Sequence, residues 1–251
     1  MKRVRRRLPQ RAVQAGFTVV EMMVALTIGL VVVLGLAVAF VNMKSSFMTQ
    51  DKLTQLQDGE RLALGMLIDS LQESGYFPDP ASNDRATLLP AANDTVYGNM
   101  DAGQAVMGVA ATSSVPESLS TRYASSGSDT LMNCVGSALP AGAVHSVRNV
   151  FYVDAGTASL ACMYSIDGGA WVKDGTKPFA LVSGVKSMSV LYGVDTDGDA
   201  NVDQYIGPGA VTAAQWLAVR SVRVTLSFID PNNAANTIDW AQTINLMNFK
   251  S

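Results

Sequence analysis

The stretch Gly16-Phe17-Thr18-Val19-Val20-Glu21-Met22-Met23-Val24-Ala25 opens a run that continues to Val41 without a second charged residue. At about 1.5 Å per residue, residues 17–41 make a helix of about 37 Å, longer than the ~30 Å hydrocarbon core of a bilayer. They are expected to span a membrane. Upstream lie Lys2, Arg3, Arg5, Arg6, Arg7 and Arg11, with no acid among residues 1–16. The positive-inside rule therefore keeps residues 1–16 in the cytoplasm and sends the rest across. Taking those six from the 18 basic residues leaves 12 against 21 acidic ones. No basic cluster remains to neutralise several phosphates, so nucleic acid is not an expected partner.

Past Val41 the helical period persists. Leu53, Leu56, Ala63, Leu64, Leu67, Ile68 and Leu71 recur at three- and four-residue spacing, between Asp51, Gln55, Asp58, Arg61 and Asp69. Residues 42–77 are read as an amphipathic periplasmic half of the same helix, ended by Gly75, Pro78 and Pro80. Gly59 and Gly65 weaken that half by about 1 kcal/mol each relative to alanine. Residues 78–129, rich in Ala, Ser, Asn, Gly, Asp and Pro, read as an irregular connector with at most one short strand or helix.

From residue 130 to 251 the period changes to two, and β strands are expected at 147–153, 159–164, 185–194, 219–228 and 238–247. Val222, Val224, Leu226 and Phe228 alternate with Arg223, Thr225 and Ser227, as on a sheet wet on one face. The fold class is α+β: a long N-terminal helix packed on an antiparallel β-sheet head. Cys134 and Cys162 both lie on the translocated side, where one disulfide is expected, the alternative being two buried thiols. Two cysteines and a single histidine, His145, do not make a zinc set.

Three readings compete for the junction at Gly16: a signal anchor, a secretory signal peptide, and the leader of a filament subunit. The secretory reading has Ala37-Val38-Ala39 before Phe40, but the apolar run ahead of that site is too long for it. Glu21 separates them. A carboxylate in hydrocarbon costs about 2.5–3.5 kcal/mol and needs a partner or a purpose. If the chain is cut after Gly16, Glu21 becomes the fifth residue, placed to pair with the terminal amine of a neighbouring subunit's Phe17 and so set axial register.

Gly16, Phe17, Thr18 and Glu21 resemble, position for position, the signature of the type IV pilin family. Further along, Gln50-Asp51 with Leu53, Gln57 through Arg61, Gly75-Tyr76, Tyr192-Gly193-Val194-Asp195 and Trp216 through Val224 are similar to the PilW-type minor pilins. The resemblance implies cleavage after Gly16 and N-methylation of Phe17 by a prepilin peptidase. It also implies a single-pass inner-membrane subunit with a periplasmic head. Its partners would be major and minor pilins and the assembly machinery, and its work priming or capping a pilus. Thr18 and Glu21 are the residues it assigns to subunit register.

Asp195-Thr196-Asp197-Gly198-Asp199-Ala200-Asn201-Val202-Asp203 sets oxygen donors at alternate positions. Asp195, Asp197, Asp199, Asn201 and Asp203 could converge on calcium, or the loop is a polar turn whose aspartates satisfy backbone donors. Position 12 is Ile206 instead of a bidentate glutamate. No cofactor is otherwise required. No nucleophile–base set is visible, His145 has no flanking acid, and Asp167-Gly168-Gly169 and Asp174-Gly175 read as turns. Trp171, Trp216 and Trp240 read as core or rim residues, or as a subunit contact. No enzyme is expected. The alternatives are a minor pseudopilin of a type II secretion system and a membrane-anchored calcium-binding or adhesive module.

Overall fold

A computed structural model describes residues 16–248, so the basic leader over residues 1–15 lies outside the described residues. The chain divides into two compact units, one ending at Asp51 and the other beginning at Lys52. Helix α1, Val19–Glu73, runs through that boundary. In the first unit every residue from Gly16 to Asp51 is exposed, although the run to Val41 is almost wholly apolar. The stretch is long and apolar enough to cross a membrane. Its hydroxyls are satisfied locally. Thr27 Oγ1 donates to the Val24 carbonyl at 2.8 Å and Thr49 Oγ1 to that of Ser45 at 3.1 Å, so neither needs water.

The second unit buries the other half of α1. Ala63, Leu67 and Leu71 are fully buried, with Leu56, Leu64 and Ile68 packed beside them. Gly59, expected only to weaken the helix, has a packing use. A Cβ there would come within 3.3 Å of Val182 Cγ1, so the bare backbone lets the helix approach the strand behind it. Gly75, at φ +79, turns the chain out of the helix, and its N–H donates to the Arg122 carbonyl at 2.7 Å.

Two antiparallel sheets form the head. In chain order the first holds β1 (Val106–Val109), β2 (Ser118–Ser125), β3 (His145–Asp154), β4 (Ser159–Ile166) and β5 (Phe179–Ser183), each paired with the next. The second holds β6 (Val185–Val194), β7 (Gln204–Ile206), β8 (Val219–Ile229) and β9 (Thr237–Asn245), in the order β7-β6-β8-β9. One core joins them: Leu119, Phe151 and Leu160 of the first sheet cluster with Tyr192, Val222, Leu226 and Phe228 of the second and with the apolar stripe of α1. The alternation read along β8 is realised. Val222, Val224, Leu226 and Phe228 are fully buried, and Arg223 is exposed.

The segment 78–129 differs from its expectation, because it supplies a short helix, α2 (Arg85–Leu88), and the strands β1 and β2. The cause lies in β2, whose eight residues Ser118–Ser125 are all buried, on both faces. A strand covered on both faces shows no alternation. Here two of its polar residues have internal partners: Ser70 Oγ meets Thr121 Oγ1 at 2.6 Å, and Ser120 Oγ accepts from Arg148 at 3.1 Å. β5 was also unassigned, and two sheets stand where one was expected.

Cys134 and Cys162 form a disulfide, with Cα atoms 6.4 Å apart. It pins the loop between β2 and β3 to β4.

Glu73, the last residue of α1, is half-buried. Burial, then the nearby charges of Asp69 and Asp129, raise its carboxyl from 4.5 to about 7. A helix C-terminus is also unfavourable for a negative charge. The folded chain therefore holds a proton that the unfolded chain has released between pH 4.5 and 7, and stability falls as pH rises through that window. Glu73→Gln is expected to match the parent at pH 4.5 and to exceed it above pH 7. The gain, discounted for solvent screening, is about 1–2 kcal/mol. Urea titrations of the full chain in detergent at both pH values check this; equal stability at pH 8 would overturn it.

Candidate functional site

The junction residues Gly16, Phe17 and Thr18 are non-helical, and α1 begins at the next residue. Thr18 is its N-cap: the Glu21 N–H donates to Thr18 Oγ1 at 3.3 Å, and the Met22 N–H donates to the Thr18 carbonyl at 3.1 Å. Thr18-Val19-Val20-Glu21 thus has the spacing of a capping box. Thr18 caps the helix, a duty its T-x-x-E spacing signals and the assignment to subunit register does not include. Phe17 is 84% exposed, and the Gly16–Phe17 peptide lies outside hydrogen-bonded helix.

Glu21 sits in the first turn, where a negative charge suits the helix dipole. Its backbone is satisfied by Thr18, whereas its carboxylate makes no hydrogen bond or ion pair among the described residues. It is exposed within an otherwise apolar surface that includes Phe17, Val20, Met22, Val24 and Leu26. A carboxylate so placed has nothing in its own described chain to offset its transfer into hydrocarbon.

The acidic loop joins β6 to β7. Carboxylate oxygens of Asp195, Asp197 and Asp203 lie within 4.8 Å of one another, so the ligand set expected for calcium is assembled only in part. Asp199 stands outside that group, and its carboxylate accepts both the backbone N–H and the side-chain amide of Asn201, at 2.8 and 2.9 Å. Asp195 is 4% exposed and fully engaged. It accepts from the Gly198 N–H at 2.7 Å, the Ala200 N–H at 3.0 Å, and Arg220 Nη2 at 2.9 Å. Burial alone would raise its carboxyl, but these donors outweigh it and hold it below the usual carboxylate range. Asp203 is also held low, by the hydroxyl and then the N–H of Thr196. Asp195 neutralises Arg220, and the loop carboxylates accept the backbone N–H groups that close its turns, while Asp195, Asp197 and Asp203 stand close enough together for a cation.

Two groupings escaped the sequence. His145 does have an acid: its Nδ1 lies 2.6 Å from Asp167 Oδ2, a residue 22 positions away at the end of the next strand. The other oxygen of the same carboxylate accepts from the Ser146 N–H at 2.8 Å. Arg122, in the segment expected to be an irregular connector, and Arg148, in an expected strand, are buried and face each other in register across β2 and β3. Nothing in local spacing reveals either arrangement.

The family described as type IV pilus-assembly protein W matches residues 150–248, from the middle of β3 through β9. The prokaryotic N-terminal methylation motif matches residues 11–37, across the junction at Gly16. Among solved structures, a type IV-like pilin from Thermus thermophilus is similar, with TM-score 0.44 and 12% identity over 78% of this chain and 99% of that one. No curated protein matches the chain by sequence.

Proposed function

We propose that this chain, similar to the type IV pilus-assembly protein W family over residues 150–248 and to the N-terminal methylation motif over residues 11–37, is a non-enzymatic minor pilin that primes or caps pilus assembly. On this reading the leader is cut between Gly16 and Phe17 by a prepilin peptidase, and the new terminus at Phe17 is N-methylated. Residues 17–41 then hold the subunit in the inner membrane, with the head on the periplasmic side, until it is taken into a filament beside other pilins.

The observation that carries the reading is Glu21. Its carboxylate is unpartnered among the described residues, in the first turn of an apolar half-helix whose residues are all exposed. An amine on the Phe17 of a neighbouring subunit is the partner that the cut would supply. Mass spectrometry of the mature chain should find N-methylated Phe17 as the first residue. An uncut Met1, or a terminus at Phe40 produced by cleavage after Ala39, would overturn the processing scheme. A pseudopilin of a type II secretion system would carry the same terminus. The two roles part on phenotype, since loss of this subunit should reduce piliation and leave secretion through that system unchanged.

A further inference from the structure

A small cavity lies on the outer side of the five-stranded sheet, far in sequence from the junction. Its volume is about 290 Å³, at the small end of the ~300–1,000 Å³ usual for ligand sites. Its floor is the row Arg122, Arg148 and Ser165, three residues in register across β2, β3 and β4. Its rim includes Asn93, Asp94, Asp167 and Trp171.

Two like charges directly opposite on adjacent strands are unfavourable, and these two are buried, at 2% and 6% exposed. Neither forms an ion pair among the described residues. Arg122 is spent on structure, donating to the carbonyls of Pro90, Asp101 and Gln104. Arg148 is not. Its hydrogen bonds, to the Tyr97 and Gly98 carbonyls and Ser120 Oγ, all leave from Nη2. Its Nε is buried without a partner, and its Nη1 makes no hydrogen bond among the described residues. The guanidinium lies 5.5 Å from the Trp171 ring centroid.

Acceptors are present beside these donors. Asp94 Oδ1 is occupied by the N–H groups of Val96 and Tyr97, but Oδ2 accepts only from Trp171 Nε1, at 2.9 Å, leaving a lone pair. Asn93 is exposed at the rim, and its amide makes no hydrogen bond among the described residues. Arg122 and Arg148 are balanced by Asp94 and Asp167, so the fixed charge of the cavity sums to zero. That balance disfavours a free anion. An indole wall, mixed donors and acceptors, and room for little more than one ring fit a neutral polyhydroxylated ring.

We propose that this cavity binds one pyranose unit of a saccharide, with hydroxyls on Arg148, Asp94 and Asn93 and the ring against Trp171. The test is calorimetric titration of the full chain with the methyl pyranosides of glucose, galactose, mannose and N-acetylglucosamine. The chain is held in amine-oxide micelles, because sugar-based detergents would compete. At least one glycoside should bind saturably, with a Kd on the order of millimolar, as the few contacts allow. Asn93→Ala, an exposed change that leaves the fold intact, should weaken it about five- to tenfold; Trp171→Phe, which also removes the hydrogen bond to Asp94, should weaken it further. No binding by any of the four glycosides would overturn the proposal. So would binding of acetate or phosphate alone, which would make the cavity an anion site. Glycoside binding indifferent to both substitutions would place the sugar elsewhere, and would overturn it too.

Discussion

Glu21→Ala is expected to be cut after Gly16 as well as the parent, yet to enter pili at a hundredth of the parental level or less, on the order of the loss from breaking a buried ion pair. Cleavage should survive because Gly16, Phe17 and Thr18 are unchanged. The cap should also survive, since Thr18 Oγ1 accepts from the backbone of residue 21 and not from its side chain. Membrane retention should improve if anything, because the cost of about 2.5–3.5 kcal/mol for a carboxylate in hydrocarbon disappears. On the proposed reading, what the substitution removes is the contact between subunits. Leaving a neighbour's amine unpaired in a low dielectric costs about 3–5 kcal/mol, which is about a hundredfold or more in occupancy. Immunoblots of sheared pili against whole membranes measure this. Parental incorporation would end the register role and leave Glu21 as a capping-box residue. Thr18→Val separates the two duties, since loss of the cap alone costs about 1 kcal/mol.

The second large effect concerns the disulfide. Replacing both Cys134 and Cys162 by alanine should cost the head about 3.5 kcal/mol. This follows from the chain-entropy relation for a closed loop with the observed separation of 28 residues. For a unit of this size that lowers the melting midpoint by about 7–14 °C. Besides the disulfide, the loop is held by the Cys134 N–H on Asn149 Oδ1, a local turn closed by Asn133, and Leu139 buried with Tyr123 and Val147. Thermal scans of the oxidised parent and the double variant give the comparison. An unchanged midpoint would mean that packing of Leu139 and its neighbours already fixes the loop.

The sequence was most legible where one face of an element is wet. β8 alternates because Arg223 meets solvent while Val222 and Val224 do not, and the stripe from Leu56 to Leu71 recurs because the opposite face of α1 is hydrated. Where both faces are covered the code fails. β2 reads as a loop because Ser120, Thr121 and Arg122 are satisfied by side chains and carbonyls distant in sequence. The same holds inside the helix. Glu60 is 3% exposed on the apolar face, with Oε1 unpartnered among the described residues. Burial raises its carboxyl, with Trp240 of β9 opposing the shift. No spacing rule places a glutamate there. At the junction the residues were all visible, but the division of labour was not. Thr18 and Glu21 share one backbone hydrogen bond, and only geometry shows that it leaves the carboxylate free.

That freedom has a consequence for symmetry. Two complementary groups, a new amine at Phe17 and a carboxylate at Glu21, would sit one turn apart at the same end of one chain. A subunit that lends its carboxylate to one neighbour still has its own amine to offer another. Such a contact is heterologous: it does not close into a two-fold dimer but hands an unsatisfied group onward at every step. Growth through it is therefore directional. The chain at one extremity always keeps a free carboxylate or a free amine, which distinguishes the first subunit laid down from every one that follows.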